Sequence, residues 1–434
     1  MSSKHSSGCH NVPMPLSAGD RVALLVPGST AYVDLVLALL RRGVFPVPLD
    51  PATTTSELDA LVADLTPVRI LRDPADVPAL LSELDDSPLP ASDVPLGRPV
   101  HVTSGTTGRR KGVFSGLLGE SAAAALVAEE RELWSFGPAD VNLVLSPLHH
   151  SAPLRFALGT VLAGGRVVAP GPFDAGAVTA AITAERPTTM FCVPAHLQRL
   201  FAHWDVAGTP DLSSFRLVAH AGAPCPTHLK ERLIAAFPPG STWEFYGSTE
   251  GQFTACRSEE WRQRPGTVGR ARPGRVMSVD EAGGLWCAVP SFARFEYLGA
   301  PDKTAAAWRE TDDGPAFTVG DLGRIDDDGY VYLDGRREDL VISGGVNVYP
   351  AEVEDVLGEA PGVVEVAVFG VDDERWGQRV CAAVVGTADV EALTAYAREQ
   401  LAPAKRPKDW FVLDGLPRTS TGKVRRLDLP ALCT

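Results

Sequence analysis

Residues 103–113, with the sequence TSGTTGRRKGV, have the residue types of a phosphate-binding loop. Glycines let backbone N–H groups approach an anion closely, hydroxyls add hydrogen-bond donors, and a lysine adds a compact positive charge. A Walker A loop requires the spacing G-x-x-x-x-G-K-[ST], but here two arginines separate Gly108 from Lys111. The run predicts a nucleoside triphosphate site that is not of Walker type. The alternative is a polar surface loop beside a basic patch.

A second run, FYGSTEG at residues 245–251, combines an aromatic ring with two hydroxyls and a carboxylate. Tyr246 could stack on a base. Glu250 could hold Mg²⁺ through oxygen, the ligand atom that hard cations prefer. Without the first run, the better interpretation would be a turn after a strand with a helix-capping hydroxyl.

Three further polar positions suit the same kind of ligand. Asp321 follows a strand and a glycine, and its carboxylate could accept hydrogen bonds from two ribose hydroxyls. Arg336 could contact phosphate or ribose, and the pair Gly344–Gly345 allows backbone to approach a ligand closely. Lys423 lies at the tip of the polar loop PRTSTGKVRR, residues 417–426. The alternative interpretation of this loop is a solvated basic tail.

The pair His149–His150 follows a predicted strand and is a further site candidate. Metal binding there would need a third ligand at suitable spacing, and the sequence offers none. The seven cysteines form no C-x-x-C pair and no ligand pattern, so we expect reduced thiols and a cytoplasmic protein.

Length and charge limit the class of protein. A chain of 434 residues predicts two or more domains, and a net charge of −14 argues against nucleic acid as a general partner. Residues 1–18 are rich in Ser, His and Pro without an apolar segment, which predicts a disordered arm and not a signal peptide. The apolar runs are too short for a membrane span.

The elements that must position these residues alternate between strand and helix. Strand-like runs at 22–26, 142–148, 188–194 and 215–222 enclose helical segments, which predicts an α/β fold with largely parallel sheets. From about 265 to 334, dense Gly, Pro and Asp predict short antiparallel strands. Beyond that, a βαβ-like pattern predicts a separate small α+β domain.

Taken together and in this order, the motifs resemble the adenylate-forming (AMP-binding) superfamily, and most closely its acyl-CoA synthetases, the acid:CoA ligases. The resemblance spans residues 20–426. It implies an N-terminal adenylation domain of αβ-layered sheets with a small β-barrel-like part over 19–336. It also implies a small, mobile C-terminal α+β domain over 337–434. The chain is short for the family, which implies an abridged first subdomain.

The resemblance implies two half-reactions. A small carboxylic acid attacks the α-phosphorus of Mg·ATP, which gives acyl-AMP and pyrophosphate. A thiol, that of CoA or of carrier-protein pantetheine, then displaces AMP after the small domain swings. ATP, Mg²⁺ and CoA are therefore the expected ligands, and the protein is expected to be a monomer or homodimer without nucleic-acid partners.

The resemblance also assigns roles to residues. The β- and γ-phosphates would be held by Thr103, Ser104, Gly105, Thr106, Thr107, Gly108 and Lys111. Adenine would lie between Tyr246–Gly247 and the segment Gly222, Ala223 and Pro224. Thr249 would contact the α-phosphate, Glu250 the Mg²⁺, and Asp321 with Arg336 the ribose. Lys423 would stabilise the charge that develops in adenylation, His150 would gate the carboxylate pocket, and Gly345 would line the pantetheine tunnel.

Two departures and two rival functions accompany this reading. Arg110 stands where the family usually has proline, and Ala404 stands where an aromatic sometimes contacts CoA. One rival is a stand-alone adenylation enzyme that acylates a carrier protein or an amine. The other, a regulator that binds adenylates without turnover, is disfavoured because Glu250, Asp321 and Lys423 are all present.

The acid pocket is expected to draw on residues 149–156, 192–196, 220–222 and 247–253. These ranges contain no obvious Asp, which favours a hydrophobic aliphatic or aryl acid as the substrate.

Overall fold

The computed structural model describes residues 15–103, 111–336, 339–343, 346–418 and 424–433. Of the expected N-terminal arm, residues 1–14 lie outside this part of the chain, whereas Leu16 is buried in the first core. Among the described residues, no helix combines the length and the apolar character that crossing a membrane requires.

The N-terminal part is a three-stranded parallel sheet flanked by helices, with the strand order β2-β1-β3. Its elements are β1 (Arg21–Leu24), α1 (Thr30–Arg41), β2 (Phe45–Pro48), α2 (Thr55–Leu65), β3 (Arg69–Leu71) and α3 (Asp76–Asp85). The Ser29 hydroxyl caps α1 by accepting a hydrogen bond from the Tyr32 N–H at 3.1 Å. Apolar residues at helical spacing bury one face of α1, as the sequence predicts.

A short hairpin and a long helix follow: β4 (His101–Thr103), β5 (Lys111–Phe114) and α4 (Glu120–Trp134). β4 and β5 pair antiparallel, so Thr103 lies opposite Lys111. The predicted phosphate loop therefore connects two paired strands, although its residues 104–110 lie outside the described part of the chain.

The central layer alternates strands and helices, as predicted. Its elements are β6 (Val141–Val144), α5 (Ser151–Leu162), β7 (Arg166–Val168), α6 (Ala175–Glu185), β8 (Thr189–Cys192), α7 (Pro194–Ala207), β9 (Leu217–His220), α8 (Thr227–Ala236) and β10 (Thr242–Glu244). The five strands are parallel in the order β10-β9-β8-β6-β7. Because parallel strands end at one edge of a sheet, the loops after β6, β9 and β10 meet there.

The next segment extends this sheet and adds antiparallel layers. Its elements are β11 (Thr254–Arg257), α9 (Ser258–Gln263), β12 (Thr267–Ala271), β13 (Val276–Val279), β14 (Leu285–Ala288), a 3₁₀ turn (Ser291–Ala293), β15 (Glu296–Tyr297), α10 (Pro301–Ala307), β16 (Trp308–Thr311), β17 (Gly314–Phe317), β18 (Asp321–Ile325) and β19 (Tyr330–Arg336). β11, β12, β19 and β18 complete a nine-stranded sheet, β15 joins β5, and β13-β14-β17-β16 form a separate sheet. These layers enclose a shared core of mainly aromatic and aliphatic side chains, which gives the small barrel-like part.

The C-terminal elements form their own five-stranded sheet with helices. They are β20 (Val341–Ser343), β21 (Val346–Val348), α11 (Pro350–Gly358), β22 (Val363–Asp373), β23 (Gly377–Gly386), α12 (Val390–Gln400), β24 (Asp409–Val412), a 3₁₀ turn (Arg426–Asp428) and α13 (Leu429–Leu432). In this sheet β24 pairs in parallel with β23, whereas the other pairs are antiparallel. The chain as a whole is therefore an α/β protein with a large N-terminal and a small C-terminal sheet system.

Candidate active site

A tight turn after β10 presents two of the predicted catalytic residues, Thr249 and Glu250. Gly247 forms an isolated antiparallel bridge with Gln252, and the Ser248 N–H donates to the Gly251 carbonyl at 2.8 Å. A Cβ atom on Gly247 would lie 2.9 Å from the Gly251 oxygen and 3.0 Å from Gln252 Cα. Glycine is therefore required at residue 247 by the close approach of the returning backbone.

Tyr246 and Asp321, from motifs far apart in the chain, meet in this region. The Tyr246 hydroxyl donates to Asp321 Oδ2 at 2.6 Å, and its ring packs against Phe253 with centroids 4.6 Å apart. Asp321 begins β18 and lies opposite Arg336 in the β18–β19 pairing. The three residues expected to contact adenosine thus come from one corner of the nine-stranded sheet.

The carboxylate of Glu250 is held by a residue that sequence reasoning missed. Glu250 is buried, and its Oε1 accepts a hydrogen bond of 2.6 Å from the Tyr297 hydroxyl. Among the described residues, no hydrogen-bond donor engages Oε2. A carboxylate with one oxygen positioned and the other open fits a hard cation such as Mg²⁺ that also binds nucleotide oxygens. Tyr297 lies in the short strand β15, and nothing in its local sequence marks it.

Arg98 is a second residue that sequence reasoning missed. Its guanidinium donates to the backbone carbonyls of Glu250, at 3.4 Å, and of Ala293, at 3.0 Å. It thereby joins the turn after β10 to the 3₁₀ turn that precedes β15. The sequence around Arg98 is an ordinary Gly-Pro-containing loop and carries no signal for this contact.

The two described ends of the predicted phosphate loop contact each other. The Thr103 hydroxyl donates to the Lys111 carbonyl at 3.4 Å. Lys111 Nζ lies 3.9 Å from Asp64 Oδ2, and both side chains are largely buried. The Lys111 ammonium group is therefore already oriented by a carboxylate of α2. Residues Ser104 to Gly108 lie outside the described residues.

His150 stands at the start of α5, where its ring lies 4.1 Å from that of His149, measured between centroids. Burial, together with the nearby His149 and His101, lowers the pKa of His150 to about 3. His150 is therefore neutral near pH 7 and meets a ligand as an uncharged ring. The described part of the chain contains no group of three or more His, Cys, Asp or Glu side chains suited to a metal ion.

The remaining predicted positions divide into described and undescribed ones. Gly222 follows β9 with φ +90°, a left-handed conformation that favours glycine, and Ala223 and Pro224 lead toward α8. Gly345 and Lys423 lie outside the described residues, as does the side chain of Arg336.

A cavity of about 160 Å³ adjoins the turn that carries Thr249 and Glu250. Its lining includes Ser151 and Leu154 on one face of α5, and residues 249–252. Phe156 and Cys192, from the expected acid pocket, are instead buried in two hydrophobic cores and do not line the cavity. The cavity also carries several arginines, which the expectation of a hydrophobic acid pocket did not include.

Comparison with known proteins identifies the family. Residues 100–288 match the AMP-binding enzyme family, and residues 352–423 match the AMP-binding enzyme C-terminal domain. A feruloyl-CoA synthase from Amycolatopsis is 36% identical, covering 94% of this chain and 87% of its own. A fatty acid–[acyl-carrier-protein] ligase, ScoC from Streptomyces coeruleorubidus, is 32% identical, covering 95% and 87%.

A solved structure shares the fold. The o-succinylbenzoate CoA synthetase MenE from Bacillus subtilis, in complex with its acyl-adenylate intermediate OSB-AMP, has a TM-score of 0.80 at 27% identity, covering 95% of this chain and 88% of that one. The chain belongs to the AMP-binding, adenylate-forming enzymes. It is an AMP-forming acid–thiol ligase, which activates a carboxylic acid as an acyl-adenylate and then transfers the acyl group to a thiol.

Proposed function

We propose that the turn after β10 and the Tyr246–Asp321 corner form the adenylation site for a carboxylic acid with a largely apolar body. The contact between the Tyr246 hydroxyl and Asp321 Oδ2 carries this proposal, because it joins two motifs 75 residues apart into one pocket. Tyr246 stacks on adenine, with Gly222, Ala223 and Pro224 opposite. Asp321 accepts hydrogen bonds from the ribose hydroxyls, and Arg336 donates hydrogen bonds to the ribose oxygens.

In the first half-reaction, a carboxylate oxygen of the acid attacks the α-phosphorus and pyrophosphate leaves. Thr249 binds the α-phosphate, while the loop from Thr103 to Gly108, with Lys111, holds the β- and γ-phosphates. Glu250, positioned by Tyr297, holds Mg²⁺, which neutralises phosphate charge when bound. Lys423 stabilises the negative charge that develops between the carboxylate and the α-phosphate.

In the second half-reaction, the CoA thiol attacks the acyl carbon and AMP leaves. Gly345 lines the path of the pantetheine arm, since a glycine allows close approach of a ligand to backbone. Movement of the C-terminal domain between the steps lets one site serve both reactions. Both ATP and CoA are cytoplasmic substrates, and we propose that compartment for the enzyme.

The acid is proposed to enter beside His150, whose ring is neutral near pH 7 and adds no charge at that entrance. The feruloyl-CoA synthase to which the chain is similar acts, by its name, on an aryl acid. An aryl or aliphatic body also suits a cavity lined by Leu126, Leu154 and Leu158.

The proposed role of Lys423 gives a direct test. With ATP, Mg²⁺ and a panel of acids, the wild-type protein is expected to release pyrophosphate in an acid-dependent way. Lys423→Ala is expected to slow this step by ~10²–10³, since one oxyanion-stabilising donor is lost. The same variant should convert a supplied acyl-AMP and CoA to the thioester at nearly the wild-type rate. Equal losses in both steps would refute the assignment, and no release with any acid would refute the adenylation proposal.

A carrier protein is a second candidate acceptor, because ScoC, a relative of similar identity, is by its name a carrier-protein ligase. Mass spectrometry separates the two acceptors. Acylation of CoA at saturating acid supports the CoA ligase. Acylation of a holo-carrier protein or an amine, with CoA unmodified, supports the second candidate.

A further inference from the structure

The cavity beside the turn after β10 contains an unusual concentration of positive charge. Five arginines line it: Arg131 on α4, which is exposed, and four that are partly or fully buried, namely Arg98 before β4, Arg155 on α5, and Arg272 and Arg275 between β12 and β13. The rest of the lining is mainly apolar and includes side chains of α4 and α5. Charged groups at such a site require partners, because burying an unpaired charge is costly.

Two glutamates at the end of α4 neutralise only part of this charge. Both terminal nitrogens of Arg275 donate to the Glu129 carboxylate, at 3.0 and 2.8 Å. Arg272 donates to Glu130 Oε1 at 2.6 Å, and Arg155 Nε lies 3.4 Å from Glu130 Oε2. Five arginines therefore face the carboxylates of Glu129 and Glu130 and that of Glu250, which also lines the cavity, so the positive charges exceed the negative ones by two.

Arg98 is a largely buried member of the cluster that forms no ion pair with a carboxylate of the described residues. Its terminal nitrogens donate to backbone carbonyls only, and within the described residues no carboxylate forms an ion pair with it. Its burial, with Arg275 and Arg155 nearby, lowers its pKa to about 10. Arg272 Nε is also buried without an acceptor in the described part of the chain. The cavity thus presents a guanidinium group without a paired carboxylate, that of Arg98, and a guanidinium N–H without an acceptor in the described residues, that of Arg272.

We propose that this cavity binds a second anionic group of the substrate, so that the enzyme activates a dicarboxylic acid. The inference rests on the proposed adenylation at Thr249 and Glu250, which line the same cavity as the arginines. One carboxylate is adenylated while the other meets the guanidinium groups, whose planar fork matches a carboxylate.

The size of the cavity limits the body between the two carboxylates. Its volume of about 160 Å³ is close to that of an engineered protein cavity of about 150 Å³ that holds benzene. The aliphatic wall formed by Leu126, Leu154 and Leu158 suits an apolar linker. A dicarboxylate with a benzene ring or a chain of four methylene groups between its carboxylates therefore matches both the volume and the lining.

Matched acids test the proposal. Adipate and hexanoate differ in one terminal carboxylate, as do terephthalate and 4-methylbenzoate. Acid-dependent pyrophosphate release is expected to show kcat/KM at least ~10-fold higher for the dicarboxylate of each pair, since a charged hydrogen bond contributes that much or more. A preference for the monocarboxylates overturns this inference but leaves the proposed function standing.

A binding measurement separates the two proposals. Without ATP, millimolar adipate is expected to raise the thermal unfolding midpoint, because a ligand that binds only the folded state stabilises it. Hexanoate at the same ionic strength is expected to have little effect. If no acid supports pyrophosphate release but adipate stabilises the protein, the adenylation proposal fails and the anion site stands. Equal shifts with both acids overturn the anion site.

Substitutions of the cavity arginines test whether they cause the preference for dicarboxylates. Arg155→Met removes a charge without touching the backbone of the turn, and Arg98→Met removes the unpaired cation. Each is expected to raise KM for adipate ~10–100-fold relative to hexanoate; kcat should change less in Arg155→Met, whereas Arg98→Met should also lower kcat for both acids because Arg98 holds the Glu250 carbonyl. Arg98→Lys, which keeps the charge, is expected to retain part of the preference. Arg262→Met, which breaks an exposed pair with Glu231, is the matched control. An unchanged ratio between the two acids in Arg155→Met overturns the proposal.

Discussion

At the scale of single residues, the site depends on side chains that orient the ones expected to do chemistry. Tyr297 donates to one oxygen of the Glu250 carboxylate, and Arg98 donates to the Glu250 carbonyl. Two contacts from separate segments of the chain therefore hold Glu250, one at its carboxylate and one at its backbone carbonyl. A buried hydrogen bond to a charged group contributes ~1.5–3 kcal/mol, enough to select one orientation over others.

Tyr297→Phe tests this positioning role. The substitution removes the hydroxyl while keeping the ring in its core, so the Glu250 carboxylate loses its only hydrogen-bond donor on Oε1 among the described residues. We expect the Mg²⁺ concentration for half-maximal adenylation to rise ~10-fold or more, from the loss of ~1.5–3 kcal/mol. Titration of Mg²⁺ at saturating ATP measures the change.

The control for this prediction is Tyr330→Phe, which removes a weaker hydroxyl contact to Glu260, at 3.4 Å, outside the proposed site. Its Mg²⁺ dependence is expected to match that of the wild type. If Tyr297→Phe leaves the Mg²⁺ dependence unchanged but lowers the unfolding midpoint, Tyr297 supports only the core.

At the scale of elements, the turn after β10 is a rigid support for Thr249 and Glu250. The bridge between Gly247 and Gln252 closes it at the base, and the Ser248–Gly251 hydrogen bond closes it at the tip. The parallel strands behind it bring the loops of β6 and β9 to the same edge. Catalytic groups on such a supported turn keep their geometry better than those on an open loop.

Gly247→Ala tests whether this geometry matters. The added Cβ would meet backbone atoms at 2.9 and 3.0 Å, so the turn must open. We expect adenylation to fall ~10²-fold, since displacement of catalytic groups by about 1 Å has effects of that size. Pyrophosphate release with each acid measures it. Gly358→Ala, where a Cβ meets no atom within 4 Å, is the control. Equal activity in both variants would contradict the role of the turn.

Sequence patterns predicted these elements well but not their lateral contacts. The helix at 31–42 and the strands near 142, 188 and 215 are present within a few residues, because local apolar periodicity determines them. Only part of the expected acid pocket lines the cavity. Phe156 faces a core of aromatic rings, whereas Leu154 and Arg155 face the cavity. The difference arises because an α-helix has 3.6 residues per turn, so neighbouring side chains point in different directions. Which face of the helix lines the cavity depends on which elements pack against its other face.

At the scale of the whole molecule, buried histidines make stability depend on pH. Burial, the largest cause for each, lowers the pKa of His150 to about 3 and that of His101, His196 and His220 to about 4. In the unfolded chain these rings take up protons near pH 6.5, whereas the folded protein keeps them neutral to much lower pH. Lower pH therefore favours the unfolded state.

We expect the free energy of unfolding to fall as the pH is lowered from 6.5 toward 4, by up to ~1.4 kcal/mol per pH unit for each such histidine. Urea unfolding at pH 7.5 and pH 5.0 measures the change. His220→Leu, at a fully buried ring whose nitrogens have no hydrogen-bond partner in the described residues, is expected to reduce the difference. His228→Gln, at an exposed position, is the control. Stability that is constant or higher at pH 5.0 would contradict this account.

The sequence alone determined the nucleotide chemistry of this protein. The runs at 103–113 and 245–251 contain glycines, hydroxyls and charged residues at characteristic spacing. Each run indicates its ligand by itself, because the conformation of a short turn or loop is determined mainly by its own residues. The order of the motifs then identified the family and its two-domain architecture.

Only the tertiary structure decided which distant side chains meet. Strand order and helix packing bring together Tyr297 with Glu250, Tyr246 with Asp321, and the five arginines of the cavity. No local pattern encodes such contacts, because each depends on the positions of two or more elements in a common core. The charge of the cavity, and with it the proposed second carboxylate of the substrate, follows from packing and not from any single motif.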